Sequence, residues 1–179
     1  LSTFRGIDVH LRGAKGNTCL HMMAEEGDLV AVKLLIEKMN ASPQRRNHEE
    51  ENVLHCCLAH LDIVLYLATR FANNGLSKMV YGVNTYGRNI FHKCANDGHF
   101  DGLLVLLGSM SVADFSTEQI TTMMNQVDKN GDTPLILAVK NSRKDLIRFL
   151  SQCSEVKLNT GDAEDNTALY YAVSMNSDS

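Results

Sequence analysis

Leu29, Val32, Leu35, Ile36 and Met39 recur at the three-and-four spacing of a helix with one buried stripe. Upstream of them, Cys19 to Glu25 reads as a shorter helix. Thr18 precedes it, where a side-chain oxygen accepts from the unpaired N–H groups of a first turn. Gly27 follows it, where the chain can leave in the left-handed conformation. A turn, a helix, a short loop and a second antiparallel helix therefore make one unit.

That unit is written again along the chain. Gly16-Asn17-Thr18-Cys19-Leu20-His21 returns as Gly87-Arg88-Asn89-Ile90-Phe91-His92 and as Gly131-Asp132-Thr133-Pro134-Leu135, with fainter copies at Asn52-Val53-Leu54-His55 and Asn166-Thr167-Ala168-Leu169-Tyr170. With Leu20, Leu54, Phe91, Leu135 and Leu169 as equivalents, the spacings are 34, 37, 44 and 34 residues. A recurring period of roughly 33 residues predicts a stack of small units rather than one closed core.

The departures from the period are informative. His55 and His60 are five apart where His92 and His99 are seven apart, which predicts a shortened first helix or a tight turn in the second unit. The segment from Phe71 through Asn74 to Gly75 is expected to end that unit's second helix. An insertion at 108–127 separates the third and fourth units, and within it Ser116 with Gln119 forms a capping box opening one extra helix, packed through Ile120, Met123 and Met124. Long loops in compact proteins are usually functional or disordered, and this insertion is read as a candidate specificity element. In the fourth unit Pro134 sits in the first turn, where its missing N–H costs nothing, and Leu146, Ile147, Phe149 and Leu150 mark the second helix. The fifth unit stops after its first half.

These motifs resemble the ankyrin repeat, whose wording is a polar turn, Gly, a residue, Thr-Pro-Leu-His, small residues, and Gly-His before an apolar run; Gly98-His99 reproduces that last pair. The resemblance implies an all-α solenoid of helix-turn-helix units with a long insertion between repeats 3 and 4. It covers about residues 12–178, and 1–179 is read as one domain, with repeats at about 12–47, 48–83, 84–127, 128–161 and an incomplete 162–179. A stack that starts at Leu1 and ends in mid-repeat is expected to be a fragment of a longer protein. The insertion and the uneven spacing also resemble the inhibitor-of-NF-κB family. The resemblance further implies that His21 and His92, with Thr18, tie neighbouring turns together.

Composition adds exclusions. Hydrophobic residues are 44% and charged residues 21%, with a net charge of −4, so no basic face points to nucleic acid. The longest apolar runs, near Ile63 to Ala68 and Leu103 to Leu107, fall far short of the ~20 residues of a membrane helix. Five scattered cysteines, with Cys57 and Cys94 at small buried positions, fit reduced thiols in a cytoplasmic or nuclear protein.

Candidate chemistry is thin. His55-Cys56-Cys57 with His60 lacks the spacing of a zinc site, because adjacent thiols on a helix point about 100° apart. Asp128 to Val139 opens like a calcium loop, but Thr133 stands where the glycine belongs and Val139 where the bidentate glutamate belongs. No nucleophile–base–acid set or phosphate-cradling loop is written. The reading is therefore no enzyme, no cofactor, no metal and no small-molecule substrate.

Protein binding is the expected function, either as a scaffold in signalling or transcription regulation or as the partner-selecting region of a multidomain enzyme, ubiquitin-ligase adaptor or channel. The resemblance places contacts on the turn tips and the inner side of the first helices. Tyr86 and Arg88 are the expected anchors, with Asn96 and Asp97 beside them, because Tyr and Arg are enriched among energetic contacts. Glu25, Glu26, Lys129, Asp132, Lys140 and Asn141 complete the set. The acidic pair Glu25-Glu26 favours a partner with a basic segment.

Overall fold

The computed structural model describes residues 7–73, 75–110 and 115–177; Asn74 and the insertion residues 111–114 lie outside it. Helices α1 (Cys19–Glu26) and α2 (Leu29–Glu37) form the first pair, and α3 (Val53–Cys56) and α4 (Leu61–Phe71) the second, followed by a short α5 (Leu76–Val80). Next come α6 (Ile90–Asp97) and α7 (Phe100–Met110), the inserted α8 (Thr117–Asn125), α9 (Pro134–Lys140), α10 (Lys144–Gln152) and α11 (Ala168–Ser177). Among the described residues there is no β-strand beyond an isolated bridge between Gly161 and Thr167. The fold is the all-α repeat solenoid expected from the motifs.

One core runs the length of the stack. Leu20, Leu54, Phe91 and Leu135 are each at most 5% exposed, whereas Leu169, at the same register in α11, is 71% exposed. Each covered side chain contributes about 1.5–3 kcal/mol. In α11 that face has no second helix against it among the described residues. Cys57 and Cys94 are sealed in the core, and burial pushes both thiols up.

The turns repeat as faithfully as the helices. Asn47, Asn84, Asp128 and Asp162 each use Oδ1 to accept the N–H groups two and four residues on, at 2.8–3.1 Å. This Asx geometry folds the chain back on itself. Successive turns are then stitched by one backbone bond each: His48 N–H to Lys15 O, Thr85 to Glu49, Lys129 to Tyr86 and Ala163 to Asn130. The loops between helices carry a second stitch, with His60 Nε2 on the Glu25 carbonyl at 2.9 Å and Arg143 Nη2 on that of Asn96 at 2.7 Å.

The irregular units have local causes. Helix α3 has only 4 residues where α1 and α6 have 8, which is the shortening anticipated from the histidine spacing. Its loop closes inward, so that the Leu58 carbonyl occupies the space a side chain at Gly102 of α7 would need. Helix α8 starts at the Ser116–Gln119 box and buries Met123 and Met124. Helix α5 is a feature the apolar pattern did not announce. Both inserts are held alike: Asn52 Nδ2 donates to the Met79 carbonyl and Asn89 Nδ2 to the Met123 carbonyl, each at 2.8 Å. Where the first helix is capped by Thr18 or Thr133, no amide is available and no helix is inserted.

Candidate protein-binding palm

The helix caps fix the chemistry of the inner side of the stack. Thr18 N–H donates to His21 Nδ1 at 3.3 Å, and Thr18 Oγ1 lies 2.8 Å from the same nitrogen. The hydroxyl thus serves the histidine ring, and the ring proton sits on Nε2, which donates to the Glu51 carbonyl of the next turn at 3.2 Å. His92 repeats the rung: Nδ1 lies 2.9 Å from Asn89 Oδ1 and 3.3 Å from Asn89 N, and Nε2 reaches the Asp132 carbonyl at 3.1 Å.

His55 breaks the series. Its Nδ1 lies 3.0 Å from Asn52 Oδ1, an oxygen that also accepts Leu54 N–H. The buried Nε2 is left without a partner among the described residues. Burial favours the neutral ring in all three; it lowers His21 and takes His55 and His92 down to about 4.

Ion pairs then fasten one unit to the next across the palm. Lys93 lies 3.0 Å from Glu51 of the preceding unit and 3.2 Å from Asp97 one helical turn on. Burial alone would lower the Lys93 ammonium, but the two carboxylates outweigh it and push it up to about 12. Arg88 Nε donates to the buried Asp128 at 2.8 Å. Lys140 joins Asp132 at 2.6 Å to Asp162 at 3.3 Å, with its ammonium 4.3 Å from the Tyr171 ring centre. The Tyr171 hydroxyl donates to Asp162 at 2.6 Å and, with the Glu164 and Asn166 N–H groups and Lys140, holds that carboxyl down to about 2.

Tyr86, Arg88, Asn96 and Asp97 form one connected surface. The Arg88 guanidinium lies 5.6 Å from the centre of the exposed Tyr86 ring, and its Nη1 donates to Asn96 Oδ1 at 3.4 Å. Asn96 in turn donates to Asp97 at 2.7 Å. Glu25 and Glu26 stand exposed on the last turn of α1, and Lys129 is exposed at its turn tip. Asn141 is exposed, with its amide on the Leu137 carbonyl. Asp132 is buried beneath Lys140, so these two are committed to each other and to the fifth unit.

A cavity of 280 Å³ opens where the short α3 omits its last turn. Cys56, Ala59 and His55 line it from the second unit, Glu25 from the first, and Lys93 and Asp97 from the third, with Glu49 and Glu51 from the turn. Sequence reasoning missed this dent and the Lys93 bridge. The missing residues near His60 signalled the dent, and Lys93 four residues before Asp97 signalled half of the bridge.

Comparison with known proteins agrees with this geometry. A family model described as ankyrin repeats (3 copies) matches residues 1–78 and 91–179. The NF-kappa-B inhibitor cactus of Drosophila melanogaster is 26% identical over 180 residues, covering 96% of this chain and 31% of its own. Notch-regulated ankyrin repeat-containing protein B of Danio rerio is 40% identical over 65 residues, 35% of this chain and 58% of its own. The chain thus spans about a third of the length of the first relative. With the repeated turns, paired helices and histidine rungs in place, and a family match over nearly every residue, the chain belongs to the ankyrin-repeat family.

Proposed function

We propose that this chain is a non-catalytic protein-interaction scaffold in intracellular signalling or transcription regulation, resembling inhibitors of NF-κB, and that it acts in the cytoplasm or nucleus. Its 1–179 segment serves as one binding domain, with the repeat divisions given above. The observation that carries the reading is the rigid inner palm: turn tips and first helices are locked unit to unit by backbone stitches, histidine rungs and ion pairs. Such a surface presents Tyr86 with little ordering left to lose on binding, which is where affinity is gained. The partner is another protein, and the exposed Glu25 and Glu26 favour a basic segment in it. Likeness to cactus over 96% of this chain supports the regulatory setting.

The test is binding to a partner captured from lysate with the intact chain. Tyr86→Ala should weaken it by about 2 kcal/mol, roughly thirtyfold. Unchanged affinity on Tyr86→Ala, with loss on altering the exposed Leu65 and Leu104 of the second helices, would put the interface on the other side. Arg88→Ala is the poorer probe, because it also strands the buried Asp128 carboxylate.

A second reading makes the segment the partner- or substrate-selecting region of a multidomain enzyme, ubiquitin-ligase adaptor or channel.

A further inference from the structure

We propose that Asn130 is a self-modification site: its side chain cyclises onto the following glycine and opens to isoaspartate, which loosens the fifth unit from the fourth. Comparison of the turns singles this residue out.

In each turn one residue immediately precedes the position with left-handed backbone. These pairs are Lys15-Gly16, Glu49-Glu50, Tyr86-Gly87, Asn130-Gly131 and Glu164-Asp165, with φ of 60° to 80° at the second member. Asparagine stands at that place in the fourth unit alone, and among the described residues it is the asparagine that precedes a glycine. Glycine has no Cβ to keep its nitrogen from a neighbouring side chain. The fold also requires glycine here, because a Cβ on Gly131 would overlap the Ala163 nitrogen of the next turn.

The Asn130 side chain is free to react. Its backbone is committed, with N–H donating to Asp128 Oδ1 at 2.8 Å and the carbonyl accepting from Ala163 at 3.3 Å. The side-chain amide is exposed and has no partner among the described residues. Asn141 makes the contrast: it is also exposed, but its amide donates to the Leu137 carbonyl at 2.9 Å and serine follows it.

The Gly131 nitrogen attacks Asn130 Cγ. The N–Cγ bond forms as Cγ–Nδ2 breaks, and the Gly131 proton leaves with Nδ2 as ammonia. Water then opens the cyclic imide at either carbonyl. Opening at Cγ gives aspartate. Opening at the backbone carbon gives isoaspartate, whose main chain runs through Cβ and Cγ and whose former backbone carbonyl becomes a free carboxylate. That carbonyl is the acceptor of the Ala163 stitch, so isoaspartate lengthens the turn at the point that joins the two units. Lys140 still bridges Asp132 and Asp162, so the fifth unit loosens without detaching. Either product also adds a negative charge beside Lys129 on the palm. Gly131 N–H is itself bonded to the Asp128 carbonyl at 3.0 Å, so the reaction waits on opening of the turn and runs more slowly in the folded chain than in the unfolded one.

The experiment ages the intact chain at physiological pH and temperature, then maps it by proteolysis and mass spectrometry that separates the two aspartate linkages. Isoaspartate should accumulate at residue 130 at least about tenfold faster than any conversion at Asn141, a barrier difference of ~1.4 kcal/mol. The aged fraction, separated by anion exchange, should show faster hydrogen exchange across residues 163–177 and unchanged exchange in α1 to α4. Asn130→Gln, whose longer side chain would have to close a larger ring, should stop the conversion and keep the exchange of the fresh chain. Conversion seen only in urea and not in the folded chain, equal conversion at Asn141, or an aged fraction whose fifth unit exchanges like the fresh one would overturn the proposal.

Discussion

His92 Nε2 donates to the backbone carbonyl of Asp132 at 3.1 Å, joining residues 40 apart and the third unit to the fourth. His55, at the same register one unit earlier, makes no such bond. Removing His92 leaves the Asp132 carbonyl without that donor in a buried site. His92→Ala should therefore lower stability by about 1–3 kcal/mol beyond the loss from His55→Ala. Urea denaturation of both variants checks this. Equal midpoints would mean that the rung contributes nothing.

Stability should fall with mild acid. Burial holds His92 and His55 at about 4, below the usual 6.5, and lowers His21 as well. For a histidine depressed in the folded state, the unfolded chain binds protons first. Its stabilising contribution is complete above 6.5 and is lost as pH falls through about 4. Each strongly shifted ring represents on the order of 3 kcal/mol across that window. Asp162, held down to about 2, adds its loss only below its usual 3.8. Thermal midpoints between pH 7 and 4 should drop, and less steeply in His92→Gln. A flat profile would contradict neutral buried rungs.

Two glycines of α7 should respond in opposite directions. A Cβ at Gly102 would overlap the Leu58 carbonyl, whereas one at Gly108 meets nothing within 4 Å. Gly102→Ala should cost about 1–3 kcal/mol by forcing the backbones apart. Gly108→Ala should gain up to about 1 kcal/mol from helix propensity. The comparison needs only chemical denaturation, and it fails if both changes have the same sign.

Asn52→Thr keeps a helix cap but removes the amide that holds the Met79 carbonyl at 2.8 Å. Helix α5 should loosen while α6 and α9 stay protected. Hydrogen exchange would show faster exchange in Leu76–Val80, with a global cost of about 1 kcal/mol. Uniform loss across the stack would mean that the bond supports the whole core.

What the sequence disclosed follows from how local each signal is. The caps at Thr18 and Ser116, the shortening near His55 and the apolar stripe of Leu29 to Met39 each lie within a few residues of the structure they dictate. The five residues of α5 are too few for a helical period to emerge. Lys93–Glu51 and Arg88–Asp128 join residues 42 and 40 apart, and no spacing rule reaches that far. The same limit affects the predicted contacts: Tyr86 is exposed, while Asp132 and Arg88 prove to be fasteners between units as well as palm residues. Gly102 looks like any helical glycine until the Leu58 loop is folded against it.

On the proposed reading, the inner palm is the surface that meets the partner. Hydrogen exchange of the intact chain with and without a captured partner tests it most directly. The account predicts slowed exchange at the turn tips around Tyr86 and Lys129 and along the last turns of α1 and α6, with the second helices α2, α4 and α7 unchanged. Protection confined to those second helices, with the turn tips exchanging as in the free chain, would contradict it.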